Sequence, residues 1–404
     1  MTRSTIVFLV LLTPLAISVR VTAVRAAEPV DLGPQLKKLR AVGLKGQGHR
    51  DAMQAWKQLS RADVNQLPTI LGGMKGAGKL ADNWFRAVVE TVAQRQIDGG
   101  GKLPVPALER FLADTSQSPR ARRLAYELVA QADETAEQRL IAPLIDDPSL
   151  ELRRDAIVLA LKAADARLKA SEKEQVTQDY QRVFHFSRDL DQIKEAAAKL
   201  RKLDQPVDLP RHMGFVLRWK LIGPFDNTGG IGFDKVYPPD DGVDLAATYG
   251  GKVGPVRWQD YATKDDFGIV DLNDGFKRPE GKGGARYEFT DEHTGVVAYA
   301  YAEFDSSESR SADFRIGCIN ANKLWLNGDL LTANQIYHSG MEVDQYVATA
   351  NLKKGRNTLL VKVVQNEQEE DWAQRWQFQL RVCDELGTAI LSQDRVAVKP
   401  LNVP

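Results

Sequence analysis

The apolar positions along the chain follow two different periods, which divide it into two halves. Between residues 31 and 203 they recur every three to four positions among Ala, Leu, Lys, Arg, Glu and Gln, and Leu152, Ala156 and Leu159 share one face. This spacing predicts amphipathic helices. From residue 215 onwards, short runs alternate apolar and polar positions between Gly, Asn and Asp, a pattern typical of strands.

The helical half contains an internal echo. The segment SPRARRLAYEL (118–128) aligns with DPSLELRRDAI (147–157), so that Arg122 precedes Arg153 by 31 residues. A period of this length is typical of stacked helix pairs. The pattern Asp-Pro-Ser-x-x-x-Arg-Arg-x-Ala resembles HEAT-type repeats, which implies an α-solenoid used for protein docking or as a spacer. We therefore expect a HEAT-like helical repeat domain over residues 31–203.

The alternating runs of the second half predict one antiparallel β-sandwich of about eight strands. Asn327 and Gly328 both tolerate positive φ and predict a hairpin turn after one of these runs. The polar, proline-bearing residues 204–214 predict a linker before the sandwich, and residues 393–404 a C-terminal tail. The runs are residues 215–222, 295–304, 314–319, 323–326, 345–348, 358–365 and 376–382.

Four segments of this half carry a resemblance to a known family. They are WKLIGPFDN (219–227), IGCINANKLWLNG (316–328), LKKGRNTLLVKVVQ (352–365) and WQFQLRVCD (376–384). They resemble the galactose-binding-like jelly-roll modules of secreted bacterial proteins, which occur as accessory domains on many glycoside hydrolases. Together with the helical half, the chain also resembles a family of secreted bacterial proteins of unknown function. The resemblance implies a jelly-roll sandwich over residues 215–392 that binds or positions something, without catalysis.

The N-terminus predicts a secretory signal peptide over residues 1–26. Arg3 precedes an apolar run that extends from Ile6 to Val19, and small or β-branched residues lead to a cut after Ala26. The run is shorter than the ~20 residues that a membrane span needs. We therefore expect a periplasmic or extracellular protein that is not an integral membrane protein after cleavage. An uncleaved anchor is the alternative.

The charge of the chain narrows the choice of binding partners. Lys+Arg and Asp+Glu both total 54 in 404 residues, and this net charge of zero argues against nucleic acid or an anionic membrane as a binding partner.

The two cysteines of the sequence are Cys318 and Cys383. Cys318 alternates with the apolar residues of its strand and Cys383 does not, so the two side chains point to opposite faces of their strands. We therefore expect two free thiols.

Candidate ligand-binding residues cluster in the loops of the sandwich. Sugar-binding surfaces combine an aromatic ring, which stacks on the C–H face of the sugar, with amides and carboxylates that bind its hydroxyl groups. Stacking by Trp325 or Trp372 is the leading hypothesis. The alternative is a structural or inter-domain polar network, and Trp376 is expected in the core because it alternates with Phe378. The candidates are Asn320, Asn322, Trp325, Tyr337, His338, Gln365, Asn366, Asp371 and Trp372.

Catalysis and cofactors have little support. The five histidines are scattered without metal-ligand spacing, and the motifs H-E-x-x-H and G-x-S-x-G are absent from the sequence. No cofactor is expected. A structural calcium ion is the alternative that the resemblance implies, since jelly rolls of this kind often carry one. The loop acids that offer calcium ligands are Asp265, Asp266, Asp271 and Asp274.

The sequence therefore predicts a multidomain protein in which an α-solenoid precedes an antiparallel β-sandwich. The expected function is that of an exported, non-enzymatic binding or scaffolding protein whose sandwich binds carbohydrate or an envelope protein. The alternative is a structural docking protein of the cell envelope, in which the helical half binds a partner and the sandwich binds no small ligand. A hydrolase is the least favoured class, because its signatures are missing.

Overall fold

The computed structural model describes residues 31–169, 173–278 and 291–396. The predicted signal peptide and residues 397–404 of the predicted tail lie outside these ranges. Helices in the first half are followed by antiparallel sheets in the second, which confirms the predicted fold class. The chain divides into two compact units between Lys102 and Leu103. The proposed domain limits, 31–203 and 215–392, stay predictions.

The first unit is helical in its described part. Proline occupies the first turn of two of its helices, where the missing N–H leaves no helical hydrogen bond unmade. The apolar stripe Phe85, Val88 and Val92 of its longest helix is fully buried, as the helical period requires. The helices are α1 (Gly33–Arg40), α2 (His49–Leu59), α3 (Leu67–Gly72) and α4 (Lys79–Asp98).

The second unit begins with further helices that pack against their neighbours in sequence. The segment predicted as a linker contains the last of them, in which Leu209 and Met213 are buried against Ile193 and Phe215. This apolar cluster joins the helices to the start of the sandwich. The helices are α5 (Val105–Ala113), α6 (Pro119–Ala132), α7 (Leu150–Lys169), α8 (Lys173–Phe186), α9 (Leu190–Lys202) and α10 (Leu209–Met213).

The rest of the second unit is a β-sandwich. Its strands are β1 (Arg218–Asp226), β2 (Thr248–Gly250), β3 (Pro255–Arg257), β4 (Gln259–Ala262), β5 (Val270–Asp271), β6 (Val296–Ser306), β7 (Arg310–Cys318), β8 (Ala321–Leu326), β9 (Asp329–Asn334), β10 (Tyr346–Leu352), β11 (Gly355–Gln365) and β12 (Gln377–Cys383). Short helices are α11 (Pro238–Asp241), α12 (Leu272–Gly275) and α13 (Gln393–Val396). One sheet has the order β4-β1-β6-β11-β8-β9, the other has the order β10-β7-β12-β5, and β2 and β3 form a hairpin.

The core between the two sheets follows the predicted alternation. Trp376 is fully buried there together with Phe378 and Leu380, which confirms its expected place in the core. Cys318 belongs to the same core, whereas Cys383 is buried outside it. Both cysteines are free thiols, as predicted.

The predicted hairpin turn is present between β8 and β9. Leu326 pairs with Asp329, and Asn327 and Gly328 between them have φ of 53° and 89°. Only residues that tolerate this left-handed backbone suit such a turn. Strands β2, β3, β4, β5 and β9 were not predicted. Strands β4 and β9 lie at the edges of one sheet and carry polar residues on both faces, and β2, β3 and β5 are too short to show an alternation.

An arginine-rich seam covers the outer face of the four-stranded sheet. Arg381 of β12 binds the carboxylate of Asp344 and donates to the carbonyl oxygens of Met213 at 3.1 Å and Gly387 at 3.2 Å. Arg315 of β7 donates to the same Asp344 at 2.9 Å. These bonds fasten α10 and the turn after β12 to the sheet.

Candidate functional site

One end of the sandwich collects the loops in which most candidate residues occur. The register places Asp226 at the end of β1 opposite Val296 at the start of β6, and Val296 opposite Gln365 at the end of β11. Val364 pairs in turn with Ala321 at the start of β8. Residues 366–376, which connect β11 to β12, therefore lie beside the loops that enter β6 and β8.

Two of the candidate amides form the buried support of the 366–376 loop. The Asn320 amide nitrogen donates to the Gln365 side chain and to the Arg375 carbonyl oxygen, the latter at 3.2 Å. Gln365 donates from Nε2 to the Ala373 carbonyl oxygen at 2.7 Å. Asn320 and Gln365 are 0% and 1% exposed. Their hydrogen bonds are made inside the protein, so these amides position the loop and do not face a ligand.

Asn322 and Trp325 lie on opposite faces of β8. Asn322 is fully buried, donates to the Asn320 carbonyl oxygen at 3.0 Å and accepts from Asn334 Nδ2 at 3.1 Å. Trp325 is half-buried on the outer face, opposite Leu360 of β11. Neighbouring residues of opposite orientation cannot serve one ligand on one surface. Asn322 therefore belongs to the scaffold, and Trp325 belongs to a different surface.

Four other candidates come together at an exposed tryptophan. Trp372 is 57% exposed, and the ring of His338 meets it edge-on, with ring centroids 5.0 Å apart and planes at 82°. His338 Nε2 lies 3.1 Å from Asn366 Oδ1, and the Tyr337 ring lies 6.3 Å from the His338 ring. We call Tyr337, His338, Asn366 and Trp372 the Trp372 cluster.

The His338 ring of this cluster is held in one orientation. Its backbone N–H donates to the Ile319 carbonyl oxygen at 2.8 Å, and its φ of 56° turns the side chain toward the 366–376 loop. Asn366 Oδ1 also accepts from the Gln368 backbone N–H at 3.3 Å, so it faces His338 as an acceptor and Nε2 is the nitrogen that donates to it. Nδ1 is buried and has no hydrogen-bond partner among the described residues.

Three acidic residues directly precede the exposed indole in the sequence. Glu369, Glu370 and Asp371 directly precede Trp372 and are exposed. The loop that carries them is fixed from below, since Gln374 donates from Nε2 to the Glu369 carbonyl oxygen at 2.7 Å. The loop thus offers an exposed aromatic ring together with exposed carboxylate acceptors, a combination that suits a ligand with both C–H faces and hydroxyl groups.

The four calcium candidates do not form a common site. Asp265 accepts from the Phe267 backbone N–H at 2.8 Å, and Asp266 pairs with Arg201 at 2.7 Å. Asp271 accepts from Gln377 Nε2 at 2.6 Å, and Asp274 accepts from the Tyr261 hydroxyl at 3.4 Å. Throughout residues 31–169, 173–278 and 291–396, no three His, Cys, Asp or Glu side chains are grouped to hold a metal ion.

A cleft that sequence reasoning missed lies beside β1 and β4. It has a volume of about 500 Å³ and is lined by Trp258, Pro224, Pro255 and Phe276, among other residues. Trp258 stands between two short strands in a segment rich in Gly and Pro, where no alternation indicates which way its ring points. The density of Gly and Pro around one Trp was the only signal available.

Comparisons with known proteins establish no family. No protein-family model matches the chain, and no curated protein matches it. Similar solved structures include a beta-glucosidase from Kluyveromyces marxianus, with 15% identity, a TM-score of 0.23 and coverage of 34% of this chain and 15% of that one. A family 35 carbohydrate binding module from Clostridium thermocellum has 13% identity, a TM-score of 0.19 and coverage of 29% and 92%.

An anti-sigma factor domain-containing protein from Clostridium clariflavum is similar at 11% identity, with a TM-score of 0.24 and coverage of 44% of this chain and 45% of that one. The chain thus spans less than half the length of this protein and about a seventh of the beta-glucosidase. Likenesses this distant do not indicate a ligand or an activity. Among the helices that the structure describes, none combines the length and the apolar character that a membrane span requires.

Proposed function

We propose that this chain is an exported, non-enzymatic binding protein whose sandwich recognises carbohydrate through the Trp372 cluster. The observation that carries the proposal is the indole of Trp372, which is 57% exposed and rests edge-on against His338. Exposing a large aromatic ring to water costs free energy that binding can recover. Export and the lack of enzymatic activity rest on the N-terminal sequence pattern and on the missing catalytic motifs.

In this mechanism the indole face of Trp372 stacks on the C–H face of a sugar ring. The carboxylates of Glu369, Glu370 and Asp371 accept hydrogen bonds from its hydroxyl groups. Asn320 and Gln365 do not contact the ligand. They lie buried under the 366–376 loop and hold it in the binding conformation before the ligand arrives. A loop that is ordered in advance loses less conformational entropy on binding.

A glycan array probed with the full chain tests this proposal. We expect binding that Trp372→Ala reduces at least about tenfold, since an aromatic contact of this kind contributes on the order of 1–2 kcal/mol. Val236→Ala is the matched control, because Val236 is a similarly exposed apolar residue at 61% and lies outside the cluster. Trp325→Ala separates the two aromatic residues that the sequence proposed, and is expected to leave binding unchanged.

Two further outcomes would decide against the proposal. If Trp372→Ala binds as the unmodified chain does, the cluster is not the recognition site. If no glycan binds, with calcium or with a chelator, the docking alternative takes precedence and the helical repeats become the region to test. Binding that is lost only in the chelator would instead indicate a calcium-dependent site.

A further inference from the structure

The cleft beside β1 and β4 is separate from the Trp372 cluster and is not used by the proposed function. We call it the Trp258 cleft. Its volume of about 500 Å³ falls within the range of roughly 300–1,000 Å³ that is usual for small-molecule sites. The indole of Trp258 and the rings of Pro224 and Pro255 give it apolar walls.

Hydrogen bonds between different elements hold the walls of the Trp258 cleft in place. Gln259 of β4 donates from Nε2 to the Gly275 carbonyl oxygen of α12 at 2.8 Å. The backbone N–H of Lys252, in the β2–β3 hairpin, donates to the Pro224 carbonyl oxygen of β1 at 2.9 Å. Trp258 packs against Tyr301 of β6, with ring centroids 6.2 Å apart. The cleft is therefore preformed.

The charges that line the cleft are mainly positive. Arg257 and Lys277 line it together with one acid, Glu292. The Arg257 guanidinium is anchored by a bond of 2.8 Å from Nε to the Thr248 hydroxyl oxygen, which leaves its terminal nitrogens available. Within the described residues, neither Arg257 nor Lys277 has a carboxylate partner. Two cations that form no ion pair in the described part of the chain, beside an apolar wall, favour an anionic ligand with an apolar face.

We propose that the Trp258 cleft binds an anionic sugar. The sugar ring lies against the Trp258 indole, and its carboxylate or sulfate group is held by Arg257 and Lys277. Gln259 and Glu292 also line the cleft and offer hydrogen-bond partners for the ring hydroxyls. The sugar part of this assignment rests on the proposed function, whereas the anionic part rests on the cleft's own charges. The sandwich would then have two carbohydrate sites, of which only the Trp258 cleft selects an anionic sugar.

Ligand-observed NMR titration of the full chain with three related probes tests the proposal. Glucuronic acid and glucose 6-sulfate carry the two kinds of anionic group, and glucose is the neutral match. We expect one or both anionic probes to bind at least about tenfold more tightly than glucose and to bind more weakly as salt rises. Preference between the two probes identifies the source of the charge, a uronic acid or a sulfated sugar.

Variants assign the binding to the cleft. Arg257→Gln and Lys277→Gln are each expected to weaken binding of the anionic probe about fivefold or more without changing glucose binding. Trp258→Ala is expected to weaken all three. Lys354→Gln, at an exposed lysine elsewhere in the sandwich, is the charge-matched control. If Trp258→Ala unfolds the protein, the two charge variants still decide, since both residues are exposed.

Failure of this proposal is distinguishable from failure of the proposed function. Anionic probes that bind no better than glucose, or that are unaffected by Arg257→Gln and Lys277→Gln, overturn the cleft assignment. If glycan-array binding then still depends on Trp372, carbohydrate recognition stands without a second site. If binding on the glycan array depends on Arg257 but not on Trp372, the cleft assignment is retained and the Trp372 cluster is overturned.

Discussion

The guanidinium of Arg122 and the carboxylate of Asp147 form a two-bond ion pair inside the helical half of the chain, with both N–O distances at 2.7 Å. The side chains are 1% and 3% exposed. Arg122 also donates from Nε to the Leu112 carbonyl oxygen at 2.6 Å, and Asp147 accepts from the Ser149 N–H at 2.7 Å. The pair therefore connects the first copy of the sequence echo to the first residue of the second copy.

Asp147→Asn tests how much this ion pair contributes to the free energy of unfolding. The substitution leaves the Arg122 charge buried without a counter-charge, so the free energy of unfolding is expected to fall by about 3–5 kcal/mol. Urea unfolding followed by circular dichroism measures the change. Asp191→Asn is the control, since Asp191 pairs with Arg154 on the surface and its loss is expected to cost less than about 1 kcal/mol. Equal effects of the two substitutions would contradict this interpretation.

Comparing Asn320→Ala with Trp372→Ala distinguishes the residue that supports the loop from the residue that is proposed to contact the ligand. Asn320→Ala removes the bonds that Asn320 makes to Gln365 and to the Arg375 carbonyl oxygen, so the free energy of unfolding is expected to fall by about 1–3 kcal/mol. Trp372→Ala is expected to change it by less than about 0.5 kcal/mol, because the indole is largely exposed. Thermal unfolding of both variants gives the comparison. The reverse order of effects would mean that Trp372 is the structural residue.

His212 is expected to make the second unit less stable in acid. Burial, with the nearby charge of Arg188 adding to it, lowers the pKa of His212 from 6.5 to about 3. His185 and Arg381 also act on it as positive charges, and the ring lies 3.2 Å from the Ser187 carbonyl oxygen through Nε2. A lowered folded-state pKa means that the neutral ring is the stable form in the fold, so His212 stabilises the protein fully above pH 6.5.

That contribution is lost as the pH falls from 6.5 toward 3, by up to roughly 1.4 kcal/mol per pH unit. Urea midpoints measured across this window are expected to decline more steeply for the natural chain than for His212→Gln. Glutamine keeps an N–H donor for the Ser187 carbonyl oxygen but does not titrate. Parallel pH profiles would exclude His212 as a source of acid sensitivity.

The two thiols are expected to be unreactive until the protein unfolds. Burial raises the pKa of Cys318 to about 12 and that of Cys383 to about 11. Because the thiolate is the reactive form, labelling with a disulfide reagent at mildly alkaline pH is expected to be at least about 100-fold slower in the native protein than in concentrated guanidinium chloride. Cys318→Ser and Cys383→Ser report each thiol separately. Rapid labelling of either native thiol would show that its strand opens readily.

The fold was largely predictable because it depends on patterns that extend over many residues. The helical period and the strand alternation each repeat often enough to identify their elements, and Asn327-Gly328 has few alternatives to a hairpin turn. Asp147 is an example of a residue whose contacts could be predicted only in part. Its position before α7 predicts a favourable interaction with the helix dipole. Nothing in the local sequence indicates that its carboxylate also pairs with Arg122, 25 residues earlier.

The candidate site was predictable only in part, because composition does not distinguish an exposed amide from a buried one. Asn320 and Gln365 were proposed as ligand residues for the same chemical reason as Asn366. Their burial depends on contacts with Arg375 and Ala373, which only the folded loop brings together. Trp258 was missed for the opposite reason. Its importance depends on a cleft whose walls come from distant parts of the chain.

The buried amides under the 366–376 loop have a consequence for how this protein can change over evolutionary time. Asn320 and Gln365 anchor the loop from within, while Glu369, Glu370 and Trp372 occupy its outer surface. Substitutions on the outside can therefore accumulate without loss of the loop's shape. Related chains are expected to share the anchoring amides while differing in what the loop presents to solvent, so one framework can acquire new specificities by a few surface changes.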